Sequence, residues 1–466
     1  MGMDTPPSKK KFLAFAGVLL LLPVLALGPF DLRQSIAITI IALFITSTFL
    51  FWSWRLSFGF LGIATMLIFR VLDIPHFIRF ASLDIIVFLI GMMIVVGYLE
   101  RSHFFEFVIG RLLARIGRSG KLLLVALLAL AALSAALVDS VMSILIMTSI
   151  VIHVAEKYRV KPIPLVLMTV FATNIGSSAT VVGNPVGVLV ALNGKLSFFD
   201  FLRWATPISV VSLAAGIGMM MLIFRKEFAA FDKAVRSPEG DALHEASMTG
   251  AHLRTPSLLF GGVMLGLILH SQFEKLLGLE KNTLLIGIAL IGAGIAMMLS
   301  RDGAQELLER RVDWWTLMFF MFLFASVGAL EYTGAIDILS GSIAALTGGQ
   351  VLLTMAVIMV VAGLLSAVLD NVLAVAIMSP IIQHLQSTMP LAGTSFWWVM
   401  LFAATFFGNL TFIGSTANIV ALGVLQKRHL GHISFREWLG PGLAVTLVTA
   451  AVALAMIAVQ LPLMGG

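Results

Sequence analysis

The chain has 466 residues, of which 59% are hydrophobic and only 12% charged, with a formal net charge of +6 and a mean hydropathy of +1.04. A water-soluble core could not hide so much apolar surface, whereas a bilayer can, so the composition points to an all-α polytopic membrane protein. The absence of cysteine excludes disulfides, thiolate metal sites and cysteine nucleophiles; there is no HExxH or GxxxxGK[ST] motif, and no basic, aromatic face suggests nucleic acid.

In chain order, residues 1–34 hold "KKKFLAFAGVLLLLPVLALG", which has the basic start and apolar body of a signal peptide. It lacks a small-x-small cleavage site and a second span follows closely, so it reads as a retained first helix. A first half covers 35–224, opening with the uncharged stretch 35–53 and reaching "VGYLE" at 96–100. A loop rich in Arg and Lys (100–121) precedes a thirty-odd-residue apolar run, 122–153, whose only carboxylate is Asp139, followed by Ser140. An ionised Asp at membrane depth costs at least a few kcal/mol, and such a residue usually faces a cavity or a partner. The next span, 165–190, is interrupted by "NIGSSATVVGNP", and the polar stretch 225–256 then reads as a cytoplasmic linker. The second half, 257–460, contains the apolar run 350–383 around Asp370 and an interrupted span over 396–425.

The halves repeat one another. "SAVLDNVLAVAIMSP" (366–380) matches "AALVDSVMSILIMTS" (135–149) and places Asp370 opposite Asp139, 231 residues on. The same offset lays "TVVGNPVGV" (180–188) on "TFIGSTANI" (411–419) and "VGYLE" on "VGALE" (327–331). Charge gives the relative orientation. The loop at 100–121 has Arg101, Arg111, Arg115, Arg118 and Lys121, and its counterpart at 331–349 has neither Lys nor Arg. The segment 155–161 holds Lys157, Arg159 and Lys161 against none in 384–395, and after the Gly motif the bias reverses. Short loops rich in Lys and Arg stay cytoplasmic, so the repeats are inverted. Both flanks of 122–153 are then cytoplasmic, which makes it a re-entrant hairpin with Asp139 near its tip; its twin 350–383 enters from outside. The expectation is eleven spans and two hairpins, with the N-terminus cytoplasmic in the inner (plasma) membrane.

Interrupted apolar segments at equivalent places in inverted halves point to a transporter's binding site. The candidates are Asn174, Thr180, Gly183 and Asn184 in the first half, with Asn371, Asn409, Thr411, Gly414, Ser415 and Asn418 in the second. Asp139 and Asp370 are the proton-coupling candidates, and Ser140 is secondary. The set has no Lys or Arg, which suits a proton, a small cation or a neutral polyhydroxylated solute. Glu100 and Glu331 sit at span ends, where a solvated carboxylate is the default.

"ALVDSVMSILIMTSIVIHVAEKYRVKPIPLVLMTVFATNIGSSATVVGNPVGVLVA", with "SAVLDNVLAVAIMSPIIQ" and "FGNLTFIGSTANIVALGV", resembles the signature regions of the arsenite permease and Na+/H+ antiporter superfamily. That group includes ArsB-type arsenite permeases, NhaD-type antiporters, the pigmentation P protein and plant silicon exporters. The resemblance implies a divalent-anion-symporter-like fold, often dimeric, in which a transport domain with the hairpins moves like an elevator against a scaffold. Where relatives of the divalent-anion symporters carry Ser-Asn-Thr at the tips, this chain has Asp-Ser-Val and Asp-Asn-Val, which argues against a dicarboxylate carrier. Gly183-Asn184-Pro185 replaces the Gly-Asp-Pro of many relatives and weakens the case for a Na+ site. Proton-coupled efflux of arsenite or antimonite is the favoured expectation, with neither cofactor nor bound metal. Na+/H+ antiport is the alternative, and a passive anion channel or a silicic acid or organic anion permease the next. Expected partners are the bilayer, protons, a second copy of the chain and, as for some arsenite permeases, a cytoplasmic ATPase subunit. Asp139→Asn or Asp370→Asn is expected to abolish coupled transport in a folded protein.

Overall fold

A computed structural model describes residues 15–51, 54–105, 107, 119–236, 253–431 and 433–464. The basic start of the first apolar segment, Arg111, Arg115 and Arg118 of the charged loop, and 237–252 of the linker lie outside the described residues.

The described chain is helical throughout. The first half runs α1 (Leu21–Ala26), α2 (Leu32–Leu50), α3 (Arg55–Ile68), α4 (Ile74–Phe80) and α5 (Leu83–Arg101). The hairpin α6 (Gly120–Leu137) and α7 (Ser140–Lys157) follows, then α8 (Pro162–Gly176), α9 (Pro185–Asn193), α10 (Phe198–Ile223) and α11 (Arg225–Val235). The second half has α12 (Arg254–Leu277), α13 (Thr283–Ser300), α14 (Trp314–Tyr332) and α15 (Ala335–Thr347). It closes with the hairpin α16 (Val351–Leu369) and α17 (Asn371–Thr388), α18 (Ser395–Phe407), α19 (Thr416–Lys427) and α20 (Phe435–Met464). Among the described residues, nine helices are long and apolar enough to cross a bilayer, and six shorter apolar ones accompany them. The chain is a multi-pass, all-helical membrane protein.

Helix starts follow local chemistry. Asp31 and Gln34 form a reciprocal capping box on α2, Ser119 caps α6, and Pro162 and Pro185 open α8 and α9, where a missing N–H costs nothing. Large apolar side chains such as Leu258, Ile291, Met298, Leu447 and Val459 point outward on α12, α13 and α20, as lipid-facing residues do. The interior of the hairpin half is close-packed: Phe396, Trp397, Trp398 and Phe402 of α18 are fully buried. Each hairpin packs against the broken helix that follows it, α6 and α7 on α8, and α16 and α17 on α18, while α10 lies along α20. Across the first hairpin the Ser143 hydroxyl donates to the Ala131 carbonyl at 3.3 Å, as the antiparallel arrangement requires. The 231-residue offset recurs in the bonding: Thr180 donates to the Ala136 carbonyl and Thr411 to that of Ala367.

Candidate functional site

Each hairpin turns within one or two residues, and an aspartate makes the turn. Asp139 Oδ2 accepts the Val141 N–H at 3.0 Å and caps α7; Asp370 Oδ1 accepts the Val372 N–H at 2.9 Å and caps α17. Asp is among the strongest N-caps, so both acids have a local structural task besides any chemistry. Their surroundings differ. Asp139 has nearly extended backbone, whereas Asp370 sits at φ 132°, a conformation L residues rarely hold. The Thr416 hydroxyl donates to Asp370 Oδ2 at 2.7 Å and helps to hold it.

The helix breaks are built by seven of the predicted site residues. Asn174 Nδ2 donates to Asn409 Oδ1 and to Asn418 Oδ1, both at 2.8 Å, and Asn418 Nδ2 donates to the Gly408 and Thr411 carbonyls at 2.7 and 2.9 Å. All three amides are at most 2% exposed and are spent on one another and on freed backbone groups, the satisfaction that a broken helix demands. Thr180 and Thr411 are likewise bonded to hairpin carbonyls. Gly183 and Gly414 allow close approach: a Cβ at Gly183 would run into the Ser177 carbonyl, and one at Gly414 would come within 3.0 Å of the Gly408 oxygen.

A cavity of ≈ 150 Å³ lies between these breaks and the facing helices α5 and α14. Of the predicted residues, Asp139, Ser140, Asn184, Asn371 and Ser415 line it, and Asp370 stands behind Thr416; Asn174, Thr180, Gly183, Asn409, Thr411, Gly414 and Asn418 do not. Asn184 faces the cavity but is committed, its Oδ1 accepting the Gly187 N–H at 2.8 Å and its Nδ2 donating to Ser177 Oγ at 2.7 Å. Ser415, its counterpart in the second half, is 1% exposed and its Oγ has no hydrogen-bond partner. A buried hydroxyl left unpaired costs roughly 1–3 kcal/mol, so this one is an open position for a ligand or water. The first residues of α7, α9, α17 and α19 (Ser140, Pro185, Asn371 and Thr416) all line the cavity, so four helix N-termini bring partial positive charge to it. Phe88, Leu89, Met92, Val96 and Phe320 form its apolar walls.

Four polar side chains of the lining are not marked out by the sequence pattern: Arg311, Asp313, Thr316 and Thr416. Thr416 lies inside the quoted repeat motif; Arg311 and Asp313 stand in "RRVDWW", which reads as an ordinary membrane-boundary loop. The wall is therefore not free of cations. Glu100 is also not simply solvated: Arg311 Nη1 donates to it at 2.7 Å, and its side chain is 26% exposed. Glu331 is exposed, as expected. Among the described residues, no group of three or more His, Asp or Glu could hold a metal ion.

Inverted helical halves, with two hairpin tips and two helix breaks gathered on one cavity that mixes polar groups with apolar walls, define a secondary transporter. The CitMHS family model, described as citrate transporter, matches residues 41–403, and the chain belongs to this family within the ion transporter superfamily. An uncharacterized transporter of Mycobacterium bovis is 33% identical over 376 residues, 79% of this chain and 84% of that protein. The silicon efflux transporter of Oryza sativa subsp. japonica is 24% identical over 86% of this chain and 92% of its own length. Among solved structures, the Alcanivorax borkumensis YdaH transporter shares the fold, with TM-score 0.57 and 16% identity over 97% of this chain and 98% of that one.

Proposed function

We propose that the protein is a proton-coupled exporter of a small polyhydroxylated weak acid carried in its neutral form, with arsenite or antimonite as the first solutes to try. The unpartnered Ser415 hydroxyl, buried on the cavity wall, carries this reading. With Ser140 and Asn371, whose side chains form no hydrogen bond among the described residues, it offers donors and acceptors suited to a solute rich in hydroxyl groups. Asp139 faces the solute and exchanges the coupling proton, while Asp370 acts through Thr416. The three interlocked asparagines support the helix breaks instead of contacting the solute. Absence of thiols favours release, since thiolates hold arsenite tightly. The silicon efflux relative lends weight to a neutral polyhydroxylated solute.

A second reading, an organic anion such as citrate, is favoured by the four helix N-termini and by the family description. Protonation of the aspartates would leave the site net positive for such a ligand. In either case the two hairpins and broken helices travel as one body against α5 and α14. By the positive-inside rule, the cavity opens to the cytoplasm, on the side of Arg101, Arg301, Arg310 and Arg311.

The test is flux into everted vesicles energised by a proton gradient, with arsenite, silicic acid, citrate and Na+ offered separately. Arsenite uptake that collapses with the gradient and needs a higher arsenite concentration in Ser415→Ala supports the first reading. Gradient dissipation by Na+ without arsenite movement sinks it and makes the protein an antiporter, and citrate movement alone selects the second.

A further inference from the structure

The cavity wall facing Asp139 carries an acid that the repeat does not supply. Asp313 caps α14, accepting the Thr316 N–H at 3.1 Å and the Thr316 hydroxyl at 2.6 Å, and Arg55 Nη2 of α3 donates to that hydroxyl at 3.0 Å. Thr316 and Arg55 thus fix the carboxylate in place. The position equivalent to Asp313 in the first half is Ser82, which precedes α5 and makes no side-chain cap. Ser82 lines a second cavity, with Arg79, Phe80, Glu331, Ser379 and Gln383. Phe80, Ser82 and Val327 of this second cavity are the repeat counterparts of Arg311, Asp313 and Val96, which line the first. The capped carboxylate of Asp313 thus has no repeat counterpart, and the acid of the second cavity is Glu331 at the end of α14.

The charges around Asp139 leave Asp313 as the available acid. Arg311 is engaged by Glu100 at 2.7 Å, and Asp370 accepts from Thr416 at 2.7 Å. The other charged or titratable side chains of α5, α6, α7, α17 and α19, and Lys161 before α8, stand toward helix ends away from the tip: Asp84, Tyr98, Arg101, Lys121, His153, Glu156, Lys157, His384 and Lys427. Asp313 is exposed to solvent, Asp139 is partly buried, and the two interact electrostatically across the cavity.

We propose that Asp313 is the relay through which Asp139 discharges its proton to the face on which the first cavity opens. The proton leaves the Asp139 carboxyl, passes directly or through cavity water to the Asp313 carboxylate, and goes from there to bulk water. Asp139 is left as a carboxylate held by the Val141 N–H at the start of α7. By the 231-residue offset the pair equivalent to Asp139 and Asp313 is Asp370 and Ser82, and Ser82 cannot hold a proton in this way, so the relay is not repeated in the other half. This inference rests on the proton-coupled reading above.

The experiment uses the full chain in proteoliposomes, comparing gradient-driven net flux with solute counterflow at equal pH for wild type, Asp313→Asn, Asp313→Ser and Ser82→Asp. Arsenite, silicic acid, citrate and Na+ are the probes, and whichever wild type moves is used throughout. Asn caps a helix about as well as Asp, so Asp313→Asn spares the start of α14. The expected result is net flux reduced about tenfold or more with counterflow and KM unchanged, and flux restored by formate or azide as diffusible proton carriers. Unchanged net flux in both Asp313 variants overturns the relay and leaves coupling intact. Net flux and counterflow falling together without rescue overturns it too, because Asp313 is then only structural. Wild-type flux indifferent to the gradient for every probe overturns the coupled reading and the relay with it.

Discussion

The two hairpin tips are the same motif put to different use. Both aspartates cap the second helix of a hairpin by accepting an N–H two residues ahead. Asp139 opens on the cavity opposite Asp313, whereas Asp370 is screened by Thr416 and held at φ 132°. The breaks behind the tips differ in the opposite sense: Asn184 is saturated by Ser177 and Gly187, and Ser415 is unpartnered. On the proposed mechanism each half supplies one working group and one supporting group, with Asp139 handling the proton and Ser415 hydrogen-bonding the solute.

Five substitutions sharpen or break this contrast. The largest effect is expected for Asp139→Asn, with gradient-driven flux down about 100-fold or more while the melting temperature stays put, because Asn keeps the cap. Equal loss in Asp370→Asn would remove the distinction between the tips. That variant is expected to lose about tenfold in flux and roughly 1 kcal/mol in stability, read by flux and by thermal melting in detergent, since its bond to Thr416 loses the charge. At the breaks, Asn184→Ala removes a cap and a buried partner and should cost roughly 2 kcal/mol of stability. Ser415→Ala should leave melting unchanged and raise KM about five- to tenfold, the worth of roughly 1 kcal/mol of hydrogen bonding. The smallest change is expected for Glu100→Gln. It frees Arg311 and should make small anions better competitors of the solute by about twofold, as a partly exposed ion pair is worth little.

The architecture was legible because it is written twice. A 231-residue register and opposite loop charges suffice to infer inverted halves, hairpins at the aspartates and breaks at the Gly motifs. The division of labour within the site was not legible. Asn174, Asn409 and Asn418 look like ligands in sequence, yet they meet across more than 230 residues and consume one another's hydrogen bonds, a pairing no local pattern announces. Asp313 escaped because an acid beside two arginines at a membrane boundary looks solvated, and only packing brings it opposite Asp139. Ser415 was found by its motif, but that its hydroxyl lacks a partner is a property of the folded chain.

The asparagine knot also records a history. The positions equivalent to Asn174, Asn409 and Asn418 in the opposite halves are Thr405, Ser178 and Gly187, so the knot has no mirror image. It cannot have been inherited by both copies of an ancestral half and kept. Once an amide of one half had come to serve two amides of the other, a half produced alone would strand polar groups in hydrocarbon at several kcal/mol each. The two halves are thereby tied into one folding unit, because the buried amide of Asn174 finds its partners only in the other half.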